Sequence, residues 1–473
     1  MNLNNNIKWV SISQIVKVST QMIGLFFFSH FLTPKQLGIM SILTIICAFV
    51  NIIRDMGFSA IIIQKEVITD SLKNSIFNFN LILGLFLFLT VYFSAGFLSD
   101  YFKEPLISTP LKIIALAFPI NNITSIYLSI LERDSKFLNI AKVECFSSFI
   151  ALIVACIMAY NNAGFYSLIT QTLLFSTLTG IGFIYFCRWV PSPYLCLKDI
   201  KSVFSFSANM VTFNFINYFS RNSDQIIIAR NFGANILGQY SLAYKLMLFP
   251  IQNITYVLTR SLFPILSRLQ SDNENSLKLY IKNLRLISFV VSPLMFGLAS
   301  VSYEFVHTFL GNKWNLIPSL LLWLAPTAII QAQISTTGAV FMSRGNTSLL
   351  VKITIVNAIV QVGAIYIGSF YDVGILVRYY FISNLLIYLP NMFFALQQLG
   401  GNLYVLFKET YKFFLISLSM YLCLITLNNF LIRDLDIQMF LHLLIMIFIG
   451  AIFYILMVYF FDRKIFKELK GKV

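Results

Sequence analysis

Residues 220–270 read SRNSDQIIIARNFGANILGQYSLAYKLMLFPIQNITYVLTRSLFPILSRLQ, a stretch long enough for two membrane-spanning helices. Most of it is apolar, yet five ionisable residues interrupt it: Arg221, Asp224, Arg230, Lys245 and Arg260. An ionisable side chain at membrane depth costs roughly 2.5–3.5 kcal/mol on insertion scales, so such residues are kept where they face a water-filled cavity or a charged partner. We interpret the stretch as the wall of a path through a membrane.

The whole chain has the composition of a membrane protein. Of its 473 residues, 58% are hydrophobic and 11% are charged, and its mean hydropathy is +0.79. Soluble domains carry about 25% charged residues. The first apolar run, residues 10–32, is long enough to span a bilayer and no small-residue cleavage site follows it. It therefore predicts a first transmembrane helix rather than a signal peptide.

Apolar runs of about 20 residues or more predict an all-α polytopic membrane protein with about fourteen transmembrane helices. The fourteen runs cover residues 10–32, 37–63, 75–98, 107–131, 139–160, 164–187, 203–231, 236–265, 282–310, 315–343, 350–370, 373–397, 408–431 and 438–461. Alternate connections, and the tail after residue 461, are rich in lysine and arginine. Because basic loops stay in the cytoplasm, we expect both termini there. The net charge of +15 is then explained by orientation, without nucleic acid as a partner.

Cysteine and histidine give no sign of a metal centre. The six cysteines and three histidines are scattered along the chain, with no CxxC pair and no metal-ligand spacing. Such a distribution is typical of buried, unpaired thiols. We therefore predict no metal, no disulfide and no cofactor.

Internal repetition predicts a duplicated plan. FLTPKQLGIMSI at residues 31–42 is matched 200 residues later by NFGANILGQYSL at residues 231–242. The shared positions are Leu37, Gly38 and Ser41, which recur as Leu237, Gly238 and Ser241. An even number of helices per repeat makes the repeats parallel. We predict an N-lobe of helices 1–6 (residues 1–200), a C-lobe of helices 7–12 (201–400), and an added helix pair, 13 and 14, with a basic cytoplasmic tail (401–473).

Cations and hydrogen-bonding groups concentrate on the first two helices of each predicted lobe. Arg221 and Asp224, three residues apart, share one face of helix 7, and Tyr240 and Tyr244 share one face of helix 8. A cavity lined by lysine and arginine suits an anionic, phosphate-bearing ligand. The candidate cavity residues are Arg54, Arg221, Lys245, Arg260, Lys17, Asp224, Tyr240, Tyr244 and Asn214. Further amides that suit sugar hydroxyls are Asn209, Asn217, Gln331 and Gln333.

Each candidate also has a purely structural interpretation. Arg221 and Asp224 neutralise each other if they pair along their helix, and Arg54, Arg230 and Arg260 reach lipid headgroups if their side chains extend to the interface. The amides equally suit hydrogen bonds between helices. The clustering of cations on four related helices favours the cavity.

The carboxylates argue against catalysis within the membrane. Asp55, Asp224 and Glu304 fall on separate predicted helices, and no DxD-like cluster that would hold a metal against a pyrophosphate is present. Buried carboxylates of this kind also serve as proton or sodium sites in transporters. We name these three residues as candidates for ion coupling and predict that the protein is not an enzyme.

The same stretch resembles the bacterial oligosaccharide flippases of the polysaccharide biosynthesis family, in particular the colanic-acid and O-antigen exporter branch of the multidrug/oligosaccharidyl-lipid/polysaccharide superfamily. The similarity rests on SDQIIIARNFGANILGQYSLAYKL at 223–246, FP at 263–264 and SRLQ at 267–270. It extends to FLTPKQLGIMSI at 31–42, DMGFSAIIIQ at 55–64, LERDSKF at 131–137 and LGNKW at 310–314.

The resemblance implies a multidrug-exporter-like fold in a bacterial inner membrane. It also implies that an undecaprenyl-pyrophosphate-linked repeat unit, the precursor of O-antigen, capsule or exopolysaccharide, is moved to the outer leaflet by alternating access. Arg54, Arg221, Lys245 and Arg260 would then receive its pyrophosphate and sugars. Implied partners are membrane lipids and a polysaccharide polymerase with its assembly machinery.

Three other functions compete with this one. A cation-coupled multidrug antiporter of the same fold would need acidic residues in its cavity, whereas this cavity is basic. A membrane glycan polymerase or ligase would need a sizeable outer loop for its catalytic groups, and the predicted outer loops are short. A scaffold or scramblase is compatible with the same sequence.

Overall fold

The computed structural model describes residues 3–54, 62, 68–429 and 438–469. At some helical residues, among them 197–214 and 256–261, it describes the backbone alone. All regular secondary structure in the described residues is helical. An apolar chain in lipid must pair its backbone groups within each segment, and helices achieve this. The chain divides into two compact units, Met1–Gly238 and Gln239–Val473.

The first unit is a bundle of long helices. Its helices are α1 (Leu3–Phe31), α2 (Pro34–Arg54), α3 (Asp70–Tyr101), α4 (Ser108–Ile114), α5 (Ala117–Arg133), α6 (Phe137–Tyr160), α7 (Tyr166–Cys187) and most of α8 (Leu197–Pro250). Helix α6 packs between α1 and α7, and α5 packs between α3 and α7.

The second unit begins within α8 and has the same bundled character. Its other helices are α9 (Tyr256–Arg268), α10 (Asn273–Ser300), α11 (Ser302–Phe309), α12 (Ile317–Ile334), α13 (Thr337–Ser343), α14 (Thr347–Gly368), α15 (Val373–Gln397), α16 (Leu403–Leu427), α17 (Met439–Phe461) and α18 (Lys464–Leu469). Helix α10 packs against both α12 and α16, and α15 packs against α12 and α14. The pair α16 and α17 is thus attached to the second unit through α10.

Twelve segments of the described chain are long and apolar enough to cross a membrane. Each coincides with one of the fourteen predicted spans. The remaining two predictions, 203–231 and 236–265, fall on α8 and α9, which are helical but interrupted by charged residues. The multi-pass helical membrane fold is therefore confirmed, whereas the count of fourteen stays a prediction.

Local sequence explains where α2 begins. The backbone N–H of Gln36 donates to Thr33 Oγ1 at 3.2 Å, and the N–H of Thr33 donates to Gln36 Oε1 at 2.9 Å. This reciprocal pair is a capping box, and Pro34 in the first helical position loses nothing by lacking an N–H. Side-chain caps also start α3, α10, α15 and α16, at Thr69, Asp272, Asp372 and Asn402. Hydrogen bonds from Asn275 hold the pKa of Asp272 below its ordinary value.

Helix α8 is broken at one residue, Gly233, whose φ of 80° and ψ of 174° are not helical. The part before the break, residues 197–232, packs against α2. The hydroxyl of Tyr218 donates to the carbonyl oxygen of Ile45 at 2.5 Å, and Phe215 lies 5.4 Å from Phe49 between ring centroids. These contacts explain why the boundary between the units falls after Gly238 and not near residue 200. The predicted grouping of helices into six, six and two stays a prediction.

A second contact joins α2 to the part of α8 that follows the break. A Cβ atom on Gly38 would overlap the carbonyl oxygen of Ala234, and a Cβ atom on Gly238 would overlap the carbonyl oxygen of Pro34. The two backbones therefore touch without intervening side chains, which glycine alone permits. Gly38 and Gly238 are the two glycines that the predicted repeat makes equivalent.

Candidate functional site

Lys17, a candidate on α1, is engaged by an acidic partner. Its Nζ lies 2.6 Å from Oε1 of Glu144 on α6, and the two side chains are 31% and 16% exposed. Glu144 was not among the predicted site residues. A lysine and a glutamate that each interrupt an apolar run are a signal for such a pair, but sequence does not show which residues meet.

Arg221 and Asp224 differ in their surroundings, although they share one face of α8. The side chain of Arg221 is exposed, whereas Asp224 is 1% exposed. An oxygen of Asp224 accepts the backbone N–H of Gln225 at 2.8 Å. Arg221 is therefore the residue of the two that is accessible to a ligand.

Arg54 does not lie beside Arg221. Helix α2 runs antiparallel to the first part of α8, because Ile45 contacts Tyr218 and Gly38 approaches Ala234. Arg54 lies nine residues beyond Ile45, and Arg221 lies three residues beyond Tyr218 in the opposite direction. At 1.5 Å per residue the two positions are roughly 18 Å apart along the helices. These two arginines thus mark two depths rather than one cluster.

Arg230, another cation of this part of α8, lies over an aromatic ring. Its guanidinium carbon lies 4.2 Å from the centroid of the Tyr101 ring, at the end of α3. A cation over a tyrosine face is stabilised by the ring quadrupole. This contact fits the structural interpretation of Arg230.

The second unit contains a polar network around Tyr244. Tyr240 is fully buried and stacks on Tyr244 with a centroid distance of 5.7 Å. The Tyr244 hydroxyl lies 3.4 Å from that of Tyr380. Nε2 of Gln331 donates to the Tyr380 hydroxyl at 2.7 Å and to Oδ1 of Asn384 at 3.1 Å.

Solvent exposure distinguishes the side chains in this region that can contact a ligand from those that only hold helices together. Tyr244 is half-buried and the adjacent Lys245 is exposed, so both can reach a ligand. Gln333, in contrast, is buried between helices, where it donates to Ser288 Oγ at 2.9 Å and accepts the hydroxyl of Tyr388. Sequence reasoning missed Tyr380 and Asn384, although their spacing of four residues places them on one face of α15.

Several predicted residues have no described side chain. Asn214 and Arg260 lie on α8 and α9, where the structure describes their backbone alone, and Asp55 lies outside the described residues. Glu304, the third candidate for ion coupling, is 5% exposed. Its Oε1 accepts Nδ2 of Asn428 at 2.9 Å. Glu304 lies on the short helix α11, because α10 ends at Ser300 rather than continuing to residue 310.

A buried ionic cluster that the sequence did not reveal fastens α10 to the C-terminal helix pair. Arg285 Nη1 lies 2.5 Å from Glu409 Oε2 on α16. Arg285 Nη2 lies 3.1 and 3.0 Å from the two oxygens of Asp462, just after α17. Arg285 and Asp462 are both less than a tenth exposed. Its geometry is that of a structural clamp between α10 and the C-terminal pair.

No metal centre emerges from the described part of the chain, where no three His, Cys, Asp or Glu residues come together. All six cysteines are free.

The sequence of the chain is similar to those of proteins of bacterial polysaccharide biosynthesis. A profile of a family described as polysaccharide biosynthesis protein matches residues 27–318. An uncharacterized membrane protein in the cps region of Klebsiella pneumoniae is 27% identical over 473 residues, covering 98% of this chain and 96% of that protein. The teichuronic acid biosynthesis protein TuaB of Bacillus subtilis is 26% identical, covering 72% of this chain and 71% of TuaB. The lipopolysaccharide biosynthesis protein WzxC of Escherichia coli is 23% identical, covering 76% and 74%.

The fold of the chain is similar to that of solved structures of a lipid flippase and a multidrug transporter. The lipid II flippase MurJ in an inward closed conformation matches with a TM-score of 0.75 and 17% identity, covering 96% of this chain and 99% of MurJ. An inward-facing multidrug transporter of the MATE family and MOP superfamily matches with a TM-score of 0.64 and 14% identity, covering 84% and 98%. At these identities the likeness shows the fold.

Proposed function

Because the chain belongs to the polysaccharide biosynthesis protein family, we propose that it is a flippase for an undecaprenyl-pyrophosphate-linked oligosaccharide repeat unit. The observation that carries the proposal is the family match over residues 27–318. The unit, a precursor of O-antigen, capsule or exopolysaccharide, passes from the cytoplasmic to the outer leaflet by alternating access. The fold that the chain shares with a lipid II flippase is compatible with such a cargo.

The chemistry of the candidate residues suits this cargo. A pyrophosphate needs cations with free donors, and Arg221 and Lys245 are exposed. Sugar hydroxyls need donors and acceptors, and the half-buried Tyr244 and Gln331 offer them, both in contact with the buried hydroxyl of Tyr380. Arg54, Arg260 and Asn214 remain proposed members of the cavity.

The setting of this activity follows from the same family. The chain is a multi-pass membrane protein, and we assign it to the bacterial plasma membrane with both termini in the cytoplasm. Its family and fold are those of transporters, so we propose no catalytic role. A polysaccharide polymerase and its assembly machinery are the proposed partners that receive the flipped unit.

A multidrug antiporter is the second candidate, and one observation favours it: the likeness to a multidrug transporter of the MATE family. Such proteins and this chain share a fold, which by itself does not fix a cargo. Exposed Arg221 and Lys245 would repel a cationic drug, whereas they attract a phosphate. Drug efflux that persists without any lipid flipping would favour the antiporter.

Substitution of Arg221 tests the proposed cavity. In liposomes that contain a labelled lipid-linked oligosaccharide, we expect Arg221→Ala to reduce the initial flipping rate about tenfold or more, because a hydrogen bond to a charged group contributes about 1.5–3 kcal/mol. The rate is read from the fraction of label that becomes accessible to an impermeant reagent at the outer leaflet.

Lys408→Ala is the matched control for Arg221→Ala. Lys408 is an exposed cation on α16, a helix that carries none of the candidate residues, so its loss should leave the rate within about twofold of wild type. If the wild type moves no lipid-linked oligosaccharide, the flippase proposal fails. If Arg221→Ala flips as fast as the wild type, only the assignment of Arg221 fails.

The Lys17 and Glu144 pair gives a second test through charge. In Glu144→Gln the lysine loses its acidic partner, which lies 2.6 Å away in the wild type. We expect the dissociation constant for the pyrophosphate-linked oligosaccharide to fall about fivefold, since about 1 kcal/mol of competing attraction is removed. Equilibrium binding in detergent measures the change. The double variant Glu144→Gln with Lys17→Met should return to wild-type affinity; tight binding by that variant would show that Lys17 takes no part.

A further inference from the structure

A small polar cluster lies where α11 meets the end of α16. Glu304 is 5% exposed, and one of its oxygens accepts Nδ2 of Asn428 at 2.9 Å. The other oxygen, Oε2, is buried and has no hydrogen-bond partner among the described residues. The hydroxyl oxygen of Thr308, one turn further along the same face of α11, is buried in the same way. Two buried oxygens on one helix face are therefore unsatisfied together.

A bound cation would offset the energetic cost of burying the unsatisfied oxygens of Glu304 and Thr308. Burying an ionised carboxylate is expensive unless the charge is paired, and the described partner of Glu304 is the uncharged amide of Asn428. An unsatisfied buried polar group typically costs about 1–3 kcal/mol, and more when it is charged. A cation held between Glu304 and Thr308 removes both costs at once.

The ligand set restricts which cation fits. It offers one carboxylate oxygen and one hydroxyl oxygen, both hard donors, while the amide nitrogen of Asn428 is engaged by the other carboxylate oxygen. Divalent ions in proteins are bound by several carboxylates or by sets of histidine and cysteine, and the described residues hold no group of three such side chains. A single positive charge balances the single carboxylate.

We propose that Glu304 and Thr308 form a binding site for one monovalent cation, a proton or a sodium ion, at the junction of α11 with the C-terminal helix pair. A sodium ion contacts Glu304 Oε2 and Thr308 Oγ1, whereas a proton resides on Glu304 Oε2. Occupation neutralises Glu304 where it holds Asn428, so it stabilises the attachment of α16. Under the proposed function, it also makes flipping depend on that cation.

The effect of Glu304 on a pH response must be distinguished from the effects of other titratable groups near the cluster. Helix α17 packs on α11, shown by the 6.4 Å between the rings of Phe309 and Phe440, and its His442 has a buried Nε2 without a described hydrogen-bond partner. Residues 286–300 of α10 and the whole of α12 contain no titratable side chain. The titratable groups nearest in sequence to Glu304 and Asn428 are Tyr303 and His307 on α11, Lys313 in the loop after α11, and Tyr421 and Cys423 in the last two turns of α16.

Melting of the purified full-length protein in detergent tests the site without any transport. One arm exchanges choline chloride for sodium chloride at constant ionic strength and pH 8; the other lowers the pH from 8 to 6 in choline chloride. We expect the melting temperature of the wild type to rise by about 2 °C or more in one of the two arms. The Glu304→Gln variant, which keeps an acceptor for Asn428 but has no charge, should show no rise in that arm.

Two further variants identify the cation and guard against false assignment. Thr308→Val removes one oxygen at similar volume, so it should lose a sodium response and keep a proton response. His442→Gln should keep the wild-type response, because a histidine titrates in the same pH range. The proposal is overturned if the wild type responds in neither arm, if Glu304→Gln keeps the response, or if His442→Gln loses it.

The flipping assay keeps this site distinct from the proposed function. If the wild type flips no lipid-linked oligosaccharide but its melting temperature responds to a cation through Glu304, the flippase proposal fails and the cation site stands. If flipping proceeds but the melting response is absent, the cation site fails alone.

Discussion

Replacing Gly38 with alanine is expected to lower the free energy of unfolding by about 3 kcal/mol, the upper part of the usual range for overpacked sites, and to reduce flipping at least tenfold. The added methyl group would overlap the carbonyl oxygen of Ala234. Backbone atoms cannot rotate aside as a side chain can, so α2 and the helix that follows Gly233 must separate. Chemical unfolding in detergent and the liposome assay measure the two effects.

A second glycine provides the control. Gly96 lies within α3, and a Cβ atom built there meets no atom within 4 Å. Gly96→Ala should therefore leave flipping unchanged and raise helix stability by up to about 1 kcal/mol. Unfolding of Gly38→Ala within about 0.5 kcal/mol of the wild type would show that the two helices cross with more room than this structure has.

Replacing Arg285 with methionine is expected to cost about 3–5 kcal/mol of unfolding free energy, because it leaves buried carboxylate charge without a counterion. Asp462 loses two contacts of 3.0 and 3.1 Å, and Glu409 loses one of 2.5 Å. The same change in a background of Glu409→Gln and Asp462→Asn should be much milder, since no charge is then stranded. Denaturant titration of the four proteins measures the coupling.

Lys278 gives a matched comparison on the same helix. It pairs with Glu274 at 2.6 Å, as close as the Arg285 contacts, but both side chains are at least two-thirds exposed. Lys278→Met should cost about 0–1 kcal/mol, as exposed pairs usually do. A loss from Arg285→Met no larger than that from Lys278→Met would contradict the clamp at the base of the C-terminal pair.

Much of the fold was predictable from apolar runs, because a lipid environment leaves the backbone little choice but helix. All twelve apolar membrane-spanning candidates coincide with predicted spans. The resemblance to the polysaccharide biosynthesis family is confirmed by the family match. The duplicated sequence singled out Gly38 and Gly238 but did not show that they meet, and the duplicated plan itself stays a prediction.

The partners of the charged residues were not predictable. Sequence spacing reveals neighbours three or four positions apart on one helix, whereas Arg285 finds Glu409 and Asp462 at separations of 124 and 177 residues. Lys17 likewise pairs with Glu144 from another helix. Tertiary packing decides these contacts, and a single sequence carries no direct record of it.

The relative depths of the charged residues in the membrane could not be predicted from the sequence either. Arg54 and Arg221 looked equivalent as cations of paired helices, but the register between Ile45 and Tyr218 separates them along the helix axes. Further along the chain, the π-helical turn Ile251–Thr255 interrupts the α-helical spacing between Lys245 and Arg260. A π turn holds more residues than an α turn, so the spacing between Lys245 and Arg260 does not follow a simple 3.6-residue period.

The C-terminal helix pair is held to its neighbours near both of its ends, by Arg285 at one end and by Glu304 with Asn428 at the other. The pair is therefore fastened to α10 by the Arg285 cluster and to α11 by the Glu304 hydrogen bond, in addition to apolar packing. The distance between spectroscopic labels placed on α10 and α17 should therefore stay constant and can serve as an internal reference. A third label whose distance to α10 and α17 changes during turnover would report movement of the helix that carries it.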